Sequence, residues 1–250
     1  MKKALITGAS SGIGKDMAII LSDMGYELFL AARREDKLIE LRNSLKTKAK
    51  VIPVDLSKDG AAEFLFERVR NEQIDLVINN AGFGTFGDFV EIPLEKELEM
   101  IDLNIKALHI LTKLFSKKEN VRILNVASSA AFMPGPLLAT YYATKAYVLR
   151  LSLAVNQELK RNNSSTSICV LCPGPVKTEF DAVAGVSFSL KGLSSRYVAK
   201  YALKKTLKGK RGKKVIVPGI TMKLGRFAIR FLPDCILLKV AYFIQKRKAK

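Results

Sequence analysis

Residues 2–24 constrain the fold more than any other stretch of the chain. A short apolar run, KKALI (2–6), leads into Thr7-Gly8-Ala9-Ser10-Ser11-Gly12-Ile13-Gly14. A segment follows with Met17, Ile20, Leu21 and Met24 on one side of an amphipathic helix. Glycines at 8, 12 and 14 let the backbone turn tightly and come close to a ligand, and the helix N-terminus offers N–H groups and a positive dipole end to a pyrophosphate. The spacing is GxxxGxG rather than GxGxxG, and a glycine-rich loop alone is also compatible with a plain tight turn. Its place between a strand and a helix favours a dinucleotide site.

The second strand, YELFLAA (26–32), ends in Arg33 and Arg34. A site for NAD usually carries an acid here to hold the ribose hydroxyls. Two arginines, with Lys15 just after the glycine loop, suit a 2′-phosphate instead, so NADP(H) is favoured over NAD(H). The bland alternative is a solvated charge run, since Glu35, Asp36 and Lys37 follow directly. Strand three, AKVIPVDL, ends in Asp55 and Leu56, placed to meet an adenine edge. A helix over about 59–71 leads to a fourth strand, IDLVIN, and then to Asn79-Asn80-Ala81-Gly82. Small and amide residues at that strand end fit the ligand crevice of an open parallel sheet. Asn104, in MIDLNIKAL, reads by itself as a satisfied core amide. His109, the only histidine, has no partner cluster and reads as structural.

The run VRILNVA, another buried strand, precedes SSAAFMPGPLLATYYATK (128–145). Past Pro134, Gly135 and Pro136 the pattern turns helical from about Ala139 to Arg161. Tyr141 and Lys145 are four apart and share one face of that helix. A free tyrosine, with a pKa of about 10, is a poor proton carrier at neutral pH. A cation one turn away stabilises the phenolate and is expected to lower that value, which suits acid–base work. Alone, the pair is as compatible with an ordinary helix face.

Taken together, TGASSGIG at 7–14, NNAG at 79–82, Asn104, Ser128, YYATK at 141–145 and PGPVKT at 173–178 resemble the short-chain dehydrogenase/reductase family, in order and spacing, over roughly residues 2–217. The resemblance implies Tyr141 as acid/base, and Lys145 as the residue that lowers the tyrosine pKa and holds the nicotinamide ribose. It implies Ser128 as the hydroxyl on the substrate oxygen and Asn104 as support for a water in a proton relay. Asp55 and Asn80-Ala81-Gly82 match the adenosine side; Pro173, Gly174, Val176 and Thr178 match contacts near the nicotinamide. Ala127 stands where a serine is frequent and Ala131 where a glycine is frequent. A homodimer or homotetramer acting on a small carbonyl or alcohol substrate is implied as well. The intact Asn104, Ser128, Tyr141 and Lys145 set argues against the competing reading, a cofactor-binding regulator or scaffold without turnover.

Residues 179–195 (EFDAVAGVSFSLKGLSS) occupy the family's variable substrate lid. Phe180, Val183, Val186, Phe188 and Leu190 either line an apolar pocket for a hydrophobic carbonyl compound or only pack the lid. KKVIVPG (213–219) reads as the last strand, followed by 31 residues where family members commonly stop. Helices are expected over Met222–Phe231 and Cys235–Ile244. The net charge of +19 is concentrated late: from Lys204 on there are fifteen Lys and Arg against one acid, Asp234. This basic tail covers the pocket, packs between subunits, or lies on an anionic membrane; the sequence leaves all three open. Nucleic-acid binding is disfavoured because the cations alternate with aliphatic residues.

No apolar run approaches the roughly 20 residues that span a bilayer, and MKKALITGAS lacks a signal-peptide pattern. Cys169 and Cys172 read as buried small residues. The expected address is the cytoplasm, with peripheral contact to the inner face of the membrane as the open alternative. The expected fold is α/β: one doubly wound, Rossmann-type parallel sheet of order 3-2-1-4-5-6-7 over residues 1–219, with a basic helical extension over 220–250.

Overall fold

Alternation along short apolar strands builds the centre of the molecule. In β1 (Lys3–Thr7), Ala4 and Ile6 face one layer while Leu5 faces the other. The same alternation runs through β2 (Glu27–Ala32), β4 (Leu76–Asn79), β5 (Arg122–Val126) and β6 (Ser167–Leu171). Both faces are apolar, so both must be covered, as parallel sheets require. With β3 (Ala49–Pro53) and β9 (Val215–Ile216) these strands form one seven-stranded sheet, every pair parallel, in the order β3-β2-β1-β4-β5-β6-β9. The sheet has the expected order, with β9 as its seventh strand. A separate parallel pair, β7 (Val176–Lys177) and β8 (Leu193–Ser194), lies outside it. The computed structural model describes residues 1–180, 192–209 and 211–246.

Helices cover the two faces. On one side α1 (Gly12–Asp23), α2 (Glu35–Ser44) and α7 (Ser195–Thr206) bury Met17, Leu21, Leu38, Leu41, Val198 and Leu203. On the other, α3 (Ala61–Val69) and α5 (Leu108–Ser116) bury Leu65, Val69, Leu111 and Phe115. The helical run from α4 (Leu94–Ile101) into α5 is widened by a π turn over Asp102–Ala107. The long helix α6 (Ala139–Arg161) packs beside β5 and β6. The expected helical extension is present as α8 (Ile220–Ala228), a 3₁₀ turn, and α9 (Asp234–Lys246). None of the helices among the described residues is long and apolar enough to cross a membrane.

Sheet order reverses between β1 and β4, and the crevice at such a switch point is where open α/β sheets take ligands. A buried polar network ties the helix carrying Tyr141 to that edge. Asn79 and Asn125 are register partners on β4 and β5. Asn79 Nδ2 donates to Asn125 Oδ1 at 2.9 Å, Thr112 Oγ1 donates to the same oxygen at 3.3 Å, and Asn125 Nδ2 donates to Ser152 Oγ on α6 at 2.9 Å. Ser152→Ala should leave the Asn125 amide without its acceptor. We expect a loss of about 1–3 kcal/mol in urea unfolding; an unchanged or higher midpoint would show that α6 does not depend on this bond.

Candidate active site

The C-terminal edge of the sheet opens into a cleft of about 430 Å³. At one end the glycine turn leaves β1. Gly8 has φ +65°, and a Cβ there would stand 2.8 Å from Asn80 Nδ2 and 2.9 Å from Ala81 Cα, so only glycine fits. Asn80 braces this turn: its Nδ2 donates to the carbonyls of Thr7 and Gly8, both at 3.1 Å. The backbone N–H groups of Asn80 and Ala81 both donate to Thr7 Oγ1. Asn80 was expected on the adenosine side; it lines the cleft, but its side-chain amide is bonded to the phosphate-type loop.

The next wall holds the tip of β2 and the end of the third strand segment. Asp55 Oδ1 accepts from the backbone N and hydroxyl of Ser57 at 3.1 and 2.8 Å, fixing the carboxylate beside Leu56. Arg33 pairs with Glu99 at 3.2 Å. Arg34 donates to Ser10 Oγ at 3.3 Å and pairs with Glu179 at 2.8 Å. Arg34 together with Ser11 lowers the Glu179 carboxyl below its ordinary range. Glu179 went unnoticed in the sequence, although it directly follows Thr178.

Deeper in the cleft lie Ser128, Tyr141 and Lys145. Ser128 caps a 3₁₀ turn (Ser129–Phe132), its Oγ accepting from Ala130 N at 3.2 Å. Tyr141 keeps some contact with the cleft, yet burial pushes its phenol up to about 12, while a hydrogen bond with Ser128 pulls the other way. The expected lowering by Lys145 is not what the structure has. Lys145 is 5% exposed, its Nζ donates to the Val126 carbonyl at 3.3 Å, and it stands 5.7 Å from the Tyr141 ring centre. Burial lowers its ammonium to about 8. Both groups are desolvated, and for Tyr141 that effect outweighs any neighbour.

Asn104 and Gly14 stand behind the lining rather than in it. The π turn carries Asn104 to full burial, where Oδ1 accepts from Phe83 N at 3.1 Å. Its Nδ2 donates to Phe83 O at 2.9 Å and Thr144 Oγ1 at 3.1 Å. Thr144 Oγ1 in turn donates to Tyr141 O at 2.7 Å, so the amide joins the β4 exit to the turn of α6 between Tyr141 and Lys145. Its side chain is a clamp; the relay water rests on the resemblance alone. Thr144 lies within the YYATK motif but was not singled out as a site residue. Gly82 completes this junction: a Cβ would stand 2.7 Å from Asn104 Oδ1 and 3.2 Å from Lys145 Nζ.

The remaining predicted residues, Ser10, Ser11, Gly12, Ile13, Ala81, Pro173, Gly174, Val176 and Thr178, all line the same cleft. Phe180 also lines it, its ring 5.3 Å from that of Tyr141; Val183, Val186, Phe188 and Leu190 lie outside the described residues. Tyr142, inside the YYATK motif, and the apolar Leu138 and Phe83 line it too and were missed. A glycine turn whose missing Cβ atoms clear the backbone, hydroxyls and two arginines at one end, and an adenine-side carboxylate fit a dinucleotide along this cleft.

Comparison with known proteins agrees with this geometry. Residues 2–185 match the family described as short chain dehydrogenase. An uncharacterized oxidoreductase of Staphylococcus epidermidis is 34% identical over 183 residues, 71% of this chain and 79% of that protein. A very-long-chain 3-oxoacyl-CoA reductase of Ajellomyces capsulatus is 34% identical over 170 residues, 63% of this chain; the match spans 50% of that protein. A short-chain dehydrogenase from Sphingobium yanoikuyae, solved in complex with NADPH, superposes with a TM-score of 0.81 at 28% identity, covering 92% of each chain. With a family match over most of its length and the Rossmann-type sheet that such enzymes share, this chain belongs to the short-chain dehydrogenase/reductase family of oxidoreductases.

Proposed function

We propose that this chain uses NADP(H) to reduce a hydrophobic ketone or aldehyde to an alcohol, with Tyr141 as the acid/base. The observation that carries the reading is that Ser128, Tyr141 and Lys145 share one cleft with the glycine turn and Arg34. When bound, the dinucleotide supplies the hydride. The hydroxyls of Ser128 and Tyr141 hold the carbonyl oxygen, where negative charge gathers. Burial keeps the Tyr141 phenol protonated at neutral pH, so it stands ready as a donor. Its proton passes to the substrate oxygen, and the phenolate left behind is stabilised by the Lys145 ammonium in a water-poor site. Asn104 and Thr144 hold the helix turn that presents both groups.

Arg33 and Arg34 support the phosphate-bearing dinucleotide. Both are paired with acids, Glu99 and Glu179, and a 2′-phosphate would take over those partners. The pairs are solvent-exposed on both sides, so exchanging them is inexpensive. Phe180, Leu138 and Phe83 around Tyr141 support an apolar substrate body. The name of the Ajellomyces relative, a reductase of long-chain 3-oxo compounds, points the same way.

The decisive assay is NADPH oxidation with a panel of hydrophobic ketones. Tyr141→Phe should lower turnover by about 10²–10⁴-fold while cofactor affinity is kept; a variant that still turns over near the wild-type rate would remove Tyr141 from the reaction. Replacing Arg33 and Arg34 by Ala should weaken NADPH binding by about 10- to 100-fold, the worth of charge-assisted bonds, with a much smaller effect on NADH. Equal losses in both would contradict the phosphate clamp. In the wild type, kcat/KM for reduction should fall as pH rises through about 8, where the Lys145 ammonium loses its proton. A profile that stays level well above that pH would show that the ammonium charge is not needed.

A further inference from the structure

We propose that the outer face of the tail helices is a docking face for an anionic phospholipid bilayer. On α8, Ile220, Leu224 and Phe227 fall at i, i+4 and i+7, and Phe231 extends the row at i+11 through the 3₁₀ turn. These four side chains are 63–71% exposed. The opposite side of α8 leans on the body: Met222 packs against Gly174, where a Cβ would stand 2.7 Å from its Sδ. Lys223 lies over the Tyr201 ring at 5.5 Å and Arg226 over the Phe132 ring at 5.2 Å. α9 repeats the division. Leu237, Ala241 and Gln245 are buried, while Ile236, Val240 and Phe243, again at i, i+4 and i+7, are exposed.

A stripe of this size on a soluble surface calls for a partner, and charge selects which one. Exposed Lys223 and Arg230 flank the α8 stripe, and exposed Lys239 and Lys246 flank the α9 stripe, while Arg226 stays against the body. Asp234 is the single acid in residues 220–250. Aromatic and aliphatic side chains beside a row of cations match the boundary between acyl chains and anionic headgroups. Two tails paired about a two-fold axis would instead set like charges against each other.

The docked tail borders the cleft at two points. Met222 touches the lining residue Gly174, and Gln245 donates a hydrogen bond to the hydroxyl of the lining residue Tyr142. Resting on the carbonyl-reductase reading, this places the active site beside the lipid from which an apolar substrate partitions.

The test uses the full chain, co-sedimented with phosphatidylcholine vesicles with and without phosphatidylglycerol. Wild type should sediment with the anionic vesicles, and added salt should release part of it. Phe227→Ser combined with Phe231→Ser should lower partitioning by about tenfold or more, given the apolar area removed. Turnover of a water-soluble ketone should stay unchanged, which separates a failure of docking from a failure of catalysis. Wild type left in the supernatant, or a double variant that sediments as before, would overturn the proposal. So would sedimentation velocity showing a dimer that the double variant dissociates, with no vesicle binding by either; the stripe would then belong to a second copy.

Discussion

A buried ammonium sets the terms for the site. Lys145 lies almost out of water at the C-terminal edge of β5, with the Val126 carbonyl as its hydrogen-bond acceptor. Desolvating a charge of this kind is costly, and burial lowers its pKa accordingly. The surroundings are built to hold it there. Gly82 has no side chain because one would press on both Lys145 Nζ and Asn104 Oδ1. The π turn brings Asn104 against Phe83 and Thr144 from behind. Two turns further along α6, Ser152 joins the Asn79–Asn125–Thr112 network, so the helix is fixed to the sheet at two heights. π turns recur where a helix must re-aim one residue, and Asn104 is that residue here.

The two ends of the cleft are held by different physics. Around Tyr141 the control is burial, which raises the phenol and keeps it protonated at neutral pH, while it lowers the Lys145 ammonium toward losing its proton. Around Arg34 the control is exchangeable charge. Glu179 and Ser10 hold the guanidinium in solvent, where an ion pair contributes about 1 kcal/mol or less. A phosphate competing for that arginine faces a modest barrier, whereas moving Lys145 would break a buried junction.

The tail joins these features to the surface. It is bound to the body through Met222, two cation–π contacts and the Gln245–Tyr142 bond, the first and last of them at residues lining the cleft. Apart from Leu237, the large apolar side chains named above point elsewhere. The side of the tail that meets the cleft rim at Gly174 and Tyr142 is buried, and the apolar stripe faces away from it.

Much of the fold was legible because its signals are local. Alternating apolar runs, glycines at a strand-to-helix turn and a helical period after Pro136 each report on a few neighbouring residues, and the strand order followed from the family motifs they spell. The glycine loop, Arg33 and Arg34, Asp55, Ser128, Tyr141 and Lys145 could be placed along one cleft on the same ground. What the sequence could not decide are relations between residues far apart in the chain. Glu179 meets Arg34 across 145 positions and Gln245 meets Tyr142 across 103. The pKa direction of Tyr141 depended on how much protein surrounds it, which no spacing encodes. The tail shows the same division: its amphipathic period was readable, but which face turns outward was settled only by what the rest of the chain offered to pack against.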